Sequence, residues 1–159
     1  MKARIVSPMF NRSSIFLFGS RIFLGFIFAY SGLLKLLDPI ENFRGLLADY
    51  TILPYFSIPW FALIMPWLEL IAGVFLMVGL AVRQSALLLS FFSISFMVVL
   101  LLSRWILGIS PASCGCFGEG GLRLTTNQVL ILDALDFLIG LRLFLHQRHP
   151  WSMDSFFKK

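Results

Sequence analysis

Residues 85–107 read SALLLSFFSISFMVVLLLSRWIL, and no charged side chain occurs before Arg104. A helix needs roughly 20 such residues to cross the hydrocarbon core of a bilayer. This stretch therefore decides the fold class, because it predicts a membrane-spanning helix.

Working outward, three further runs have the required length: Ile15–Leu37, Trp60–Leu80 and Thr126–Leu145. The first is nearly unbroken, the second contains Pro66 and Glu69, and the last contains Asp133 and Asp136. The chain has 159 residues, of which 58% are hydrophobic and 13% charged, with 18 Phe. A soluble domain of that size has too little interior to hide so much apolar surface, and lipid as solvent removes the difficulty. The expectation is an all-α integral membrane protein: a four-helix bundle forming a single membrane domain over residues 1–159. Its spans lie at about 15–37, 60–80, 85–107 and 126–145.

The joining segments are short. Asp38-Pro39 ends the first span. Between it and Pro54, Phe43, Leu46, Leu47 and Tyr50 recur at helical spacing, which predicts a short amphipathic helix lying in the interface. Trp60 and Trp67 suit the headgroup level. In span one, Gly25, Ala29 and Gly32 share a stripe, the small-residue pattern that lets a neighbouring helix come close. Lys2, Arg4 and Arg12 resemble the basic start of a signal peptide. The apolar run behind them is too long for one and lacks a small-x-small cleavage site, so the span is expected to be retained.

Cation placement sets the orientation. Lys2, Arg4, Arg12, Arg21, Arg83, Arg142, Arg148, Lys158 and Lys159 fall on one side; Lys35, Arg44, Arg104 and Arg123 fall on the other. Nine against four puts both termini in the cytoplasm of a bacterial inner membrane. The net charge of +5 then faces anionic lipid and implies no nucleic acid. It also puts residues 108–125 in the periplasm, where disulfides form and persist.

That segment carries the only two cysteines, in Ser113-Cys114-Gly115-Cys116-Phe117-Gly118. Bridging Cys114 to Cys116 would close a very small ring, strained and easily reduced. Such a bridge staples almost nothing and suits exchange better than structure. Zinc takes four ligands, and no His or further Cys lies on this side, since His146 and His149 fall in the opposite tail. No metal is therefore expected. A turn with two incidental thiols is the bland alternative.

Several elements resemble the MauE family and the wider DoxX-like group: Arg21-Ile22-Phe23-Leu24-Gly25, Lys35-Leu36-Leu37-Asp38-Pro39, Pro66-Trp67-Leu68-Glu69-Leu70 with Gly73, and Cys114-Gly115-Cys116-Phe117-Gly118. The likeness runs from about residue 15 to residue 145. It implies a membrane bundle of the disulfide-oxidoreductase type, with Cys114 and Cys116 as the reactive pair. It also implies a thioredoxin-like partner and a periplasmic client, which in the family's namesake is the small subunit of methylamine dehydrogenase. No cofactor is called for. A quinone would suit a thiol oxidase, but the second cysteine pair that would pass electrons to it is lacking.

Ionisable residues inside spans are functional candidates by default. Counting about 1.5 Å per residue, Glu69 and Asp133 lie on the order of 13 Å from the outer ends of their spans, with Asp136 about a turn deeper. Each shares a stripe with a glycine, so a common polar interior is expected. Glu69 has Tyr30 or Lys35 as candidate partners. Lys35 can snorkel to the surface, pair with Glu69, or lie beneath the cysteines and favour the thiolate. Asp133 and Asp136 are expected to face the Glu69 stripe or a partner's helix, and not lipid. Two functional classes follow: a thiol–disulfide oxidoreductase facing the periplasm, or a non-catalytic accessory subunit of a larger membrane complex built on the same bundle.

Overall fold

The computed structural model describes residues 12–49, 54–107 and 124–146. These form five α-helices: α1 (Arg12–Leu37), α2 (Ile40–Asp49), α3 (Ile58–Val78), α4 (Val82–Leu107) and α5 (Thr126–Leu145). A 3₁₀ turn, Tyr55–Ser57, leads into α3, and there is no strand among the described residues. Three helical stretches are long and apolar enough to cross a membrane: Ile15–Leu37, Ile58–Val78 and Val82–Trp105. The fourth expected span coincides with α5, but Asp133, Asp136 and Arg142 keep it from the same apolar standard.

Local chemistry explains where the helices start and stop. Pro39 cannot follow a helical residue comfortably, and α1 ends just before Asp38-Pro39. Helix α3 starts at Ile58, two residues before the expected Trp60, because Pro59 fits a first helical turn, where its missing N–H costs nothing. It ends at Val78 because Gly79 turns left-handed, with φ 84°. The N–H groups of Gly79 and Leu80 then both donate to the Phe75 carbonyl at 2.9 Å. Ala81, with φ 47°, completes the reversal, so α4 begins at Val82 rather than Ser85.

The small-residue stripe of α1 brings two backbones together. A Cβ on Gly25 would stand 2.7 Å from the Gly73 carbonyl oxygen, and one on Gly32 would stand 2.7 Å from the Leu70 nitrogen and the Pro66 oxygen. Gly25 thus opposes Gly73 and Gly32 opposes Pro66–Leu70, so α1 and α3 run antiparallel. At one end of α4 and α5, a Cβ on Gly140 would collide with the Ser90 hydroxyl. At the other end, Arg104 Nη1 donates to Asn127 Oδ1 at 2.8 Å. This pair too is antiparallel. Contacts of α3 with α4 and of α1 with α5 complete the packing.

Two ends result. One holds the α3–α4 reversal, the start of α1 and the close of α5. The other holds α2, the close of α4 and the start of α5, and so both attachments of residues 108–125. At this second end α2 lays Phe43 and Leu47 on Ile58 and Ala62 of α3. Tyr50, the last residue of the expected α2 stripe, lies outside the described residues. The main apolar core gathers nearer the first end, around Leu24, Leu76, Val82, Leu89 and Leu143. A smaller cluster around Leu100 and Val129 closes the second. The outer surface remains apolar: Phe23 and Phe26, Phe61 and Ile64, Leu87 and Phe91, and Ile131 and Leu138 are all exposed. Water would penalise a surface of this kind; lipid does not.

Candidate functional site

Between the two apolar clusters lies a polar chamber built by four helices. A cavity of about 40 Å³ takes its polar groups from Ser31 and Lys35 of α1, Glu69 of α3, Ser93 of α4, and Asp133 and Asp136 of α5, and the rest of its wall from apolar side chains such as Phe28, Phe92 and Leu132. Helical periodicity delivers each group. Ser31 and Lys35 are four apart on the inner face of α1. Asp133 and Asp136 are three apart on a buried stripe that runs Thr126, Val129, Asp133, Asp136, Gly140 and Leu143. Glu69 lies on the α3 stripe with Ala62, Pro66, Ala72, Gly73 and Leu76. The glycines on these stripes let the helices approach until the acidic side chains line one cavity.

The strongest contact is between Lys35 and Glu69. Lys35 Nζ donates to Glu69 Oε1 at 2.8 Å and to Oε2 at 2.7 Å, with both side chains about 95% buried. Ser31 Oγ donates to Glu69 Oε2 at 3.2 Å. The Phe43 ring of α2 lies over the Lys35 ammonium, 5.3 Å from it, and covers it from the second end. Lys35 therefore does not snorkel: a buried carboxylate and an aromatic face hold it inside. Tyr30, the other partner considered for Glu69, is 41% exposed and stacks on Phe26.

Asp133 and Asp136 are buried on the chamber side of α5, facing the Glu69 stripe and away from lipid. Asp133 Oδ2 and both carboxyl oxygens of Asp136 have no hydrogen-bond partner among the described residues. The Ser93 hydroxyl donates to its own Leu89 carbonyl at 3.2 Å, and Ser90 likewise to Ala86 at 2.7 Å, so α4 contributes serines already satisfied as donors. No group of His, Cys, Asp and Glu suited to a metal ion occurs among the described residues.

Cys114 and Cys116 lie outside the described residues; their attachments lie within them. The start of α5 is organised by Thr125, whose backbone N–H donates to Gln128 Oε1 at 2.9 Å and whose hydroxyl does so at 3.0 Å. The Arg104–Asn127 bond then ties this start to the close of α4.

Sequence reasoning singled out Lys35, Glu69, Asp133 and Asp136, and the structure brings all four together. It passed over Ser31 and Ser93. The available signal was spacing: Ser31 stands one turn before Lys35, and Ser93 follows Ser90 on the inward face of α4.

Neither the curated proteins nor the solved structures include a match to this chain. A family profile described as "Methylamine utilisation protein MauE" matches residues 13–145, from the second residue of α1 to the last of α5, and the chain belongs to that family.

Proposed function

We propose that this membrane protein exchanges disulfides with periplasmic proteins through Cys114 and Cys116, and so assists the maturation of a client in methylamine utilisation. The observation that carries the reading is the placement of the only two cysteines. They stand two apart in the segment joining α4 to α5, in a chain of the MauE family. The reading takes α1, α3, α4 and α5 as a four-helix membrane bundle with α2 in the outer interface. The termini lie in the cytoplasm and the cysteines in the periplasm. Cation placement supports this orientation, as do exposed Trp60 and Trp105 near the end of the molecule that would meet the outer headgroups.

The exchange proceeds in two steps. A client thiolate attacks the strained Cys114–Cys116 disulfide, forming a mixed disulfide and releasing one loop thiolate, which takes up a proton. The client's second thiolate then displaces the other cysteine. The client gains a disulfide, and the loop gains two electrons and two protons as a dithiol. A thioredoxin-like protein in its disulfide form reoxidises the loop by the reverse exchange.

The test is trapping. Cys116→Ala leaves Cys114 unable to resolve a mixed disulfide, and Cys114→Ala does the converse. Each variant should accumulate a covalent adduct that reductant releases. If neither does, and the double variant matures the client normally, the thiols are incidental.

One feature favours the accessory-subunit reading. An apolar groove of about 580 Å³ opens between α3 and α4, lined by Trp60, Ile64, Leu68, Phe91, Phe92 and Phe96 among others, and is wide enough to seat a neighbour's side chains. Under that reading, differential alkylation finds the thiols in one fixed oxidation state while the protein co-purifies in a complex.

A further inference from the structure

The chamber holds more negative charge than its partners neutralise. The charged groups facing it are Lys35 from α1, Glu69 from α3, and Asp133 and Asp136 from α5; α4 offers only the Ser93 hydroxyl. Lys35 is held by both oxygens of Glu69, so its single positive charge is already matched. Asp133 is 7% exposed and Asp136 2%, and three of their four carboxyl oxygens have no hydrogen-bond partner among the described residues. Ionised, they would leave two unpaired negative charges one helical turn apart in a low-dielectric interior. Such a site costs many kcal/mol, and proteins avoid it by neutralising the group.

The size and lining of the chamber narrow what can neutralise them. About 40 Å³ is room for water and for little more. A hydrated cation is too large. No metal-holding group of His, Cys, Asp and Glu surrounds the chamber among the described residues. A proton needs no room at all.

We propose that Asp133 and Asp136 form an internal proton-binding site. Each carboxyl carries a proton, and one water molecule in the chamber accepts from both and donates to Glu69 and to the Ser93 oxygen. The acids then donate hydrogen bonds where a carboxylate could only accept. The Lys35–Glu69 pair remains as the fixed, electrically neutral wall. This site is independent of the cysteine reading, and its test separates the two.

The test is infrared spectroscopy of the full-length protein in lipid nanodiscs at neutral pH and low sodium. The protein should show the carbonyl stretch of protonated carboxyls buried in an apolar setting, with two components, both shifted in heavy water. Asp133→Asn and Asp136→Asn should each remove one component, and the double variant both. The Cys114→Ala/Cys116→Ala variant should keep both, whatever it does to thiol exchange. Isotope-labelled aspartate in the unmodified protein reads the same bands without any substitution, should an Asn variant fail to insert. Absence of an aspartate band in the labelled parent overturns the proposal, because the acids are then ionised. A band that sodium chloride abolishes at constant pH also overturns it, because the site then binds a metal cation in place of the proton.

Discussion

Gly73→Ala offers the most direct test of the α1–α3 contact. A Cβ at this position would stand 2.6 Å from the Ala29 nitrogen, 2.7 Å from the Gly25 carbonyl oxygen and 3.0 Å from the Ala29 Cα. Ordinary contact begins at 3.4 Å, so the new methyl is about 0.8 Å too close. Every obstructing atom belongs to the backbone, and no rotamer change relieves the clash; the two helices must part. Overpacking of this kind costs roughly 1–3 kcal/mol. The gain in helix propensity from Gly to Ala, about 0.5–1 kcal/mol, partly hides that cost. Gly45→Ala in α2 is the control, because nothing lies within 4 Å of its would-be Cβ. It receives the propensity gain without the clash, so the difference between the variants isolates about 1–3 kcal/mol of overpacking. For a chain of this length each kcal/mol moves the melting temperature by roughly 2–4 °C. Thermal unfolding in detergent, followed by circular dichroism, should place Gly73→Ala below Gly45→Ala by several degrees. Glu69 sits one turn from Gly73, so the same separation should loosen its bonds to Lys35. If Gly73→Ala melts at or above Gly45→Ala, the backbones are not in contact and the chamber is not assembled as described.

Two predictions join those already attached to the cysteines and the chamber. Lys35→Met should destabilise the protein by about 3–5 kcal/mol by leaving the buried Glu69 carboxyl without its cation, while Lys35→Met/Glu69→Leu should recover most of that loss; a double-mutant cycle on detergent-unfolding free energies measures both. Reporter fusions after Leu80 and after Leu122 should register cytoplasm and periplasm respectively; the inverse pattern would remove the cysteines from an oxidising compartment.

What was legible in the sequence follows from which physical signals are local. The long apolar runs predicted helices α1, α3 and α4 because membrane insertion depends on summed apolarity, which is additive along the chain. The spacing of Gly25, Ala29 and Gly32 predicted a close neighbour, but not which helix would supply it. That Gly73 supplies it is a tertiary fact. Helix ends were less legible: Gly79 and Ala81 together make a reversal shorter than composition suggested. Depth counting placed Glu69 and Asp133 at similar levels, and both line the one chamber. The choice between snorkelling and pairing for Lys35 could not be read from the sequence, since it depends on α2 laying Phe43 over the ammonium. The serines were missed because they carry no charge: Ser93 bonds the Leu89 carbonyl of its own helix, and Ser31 meets Glu69 only once α1 and α3 pack together.

Helix α5 shows why a hydropathy average understates a segment of this type. Its exposed large residues, Ile131, Leu135, Leu138, Leu141 and Leu145, recur at spacings of three and four and form an apolar outer stripe. Its buried stripe carries Thr126, Asp133, Asp136 and Gly140. The polarity is therefore inside out relative to a helix of a water-soluble protein, where the apolar stripe faces the core. Averaging around the axis mixes the two faces, and the acids count against the segment although they are buried inside the molecule. A central Asp costs roughly 2.5–3.5 kcal/mol on insertion scales when α5 is considered alone. Inside the assembled molecule the carboxyls line the chamber in place of the outer surface, and Gly140 lets α4 close over them. The same two residues that keep α5 from the apolar standard of α1, α3 and α4 thus tie it to its neighbours, and couple its position to the assembly of the chamber.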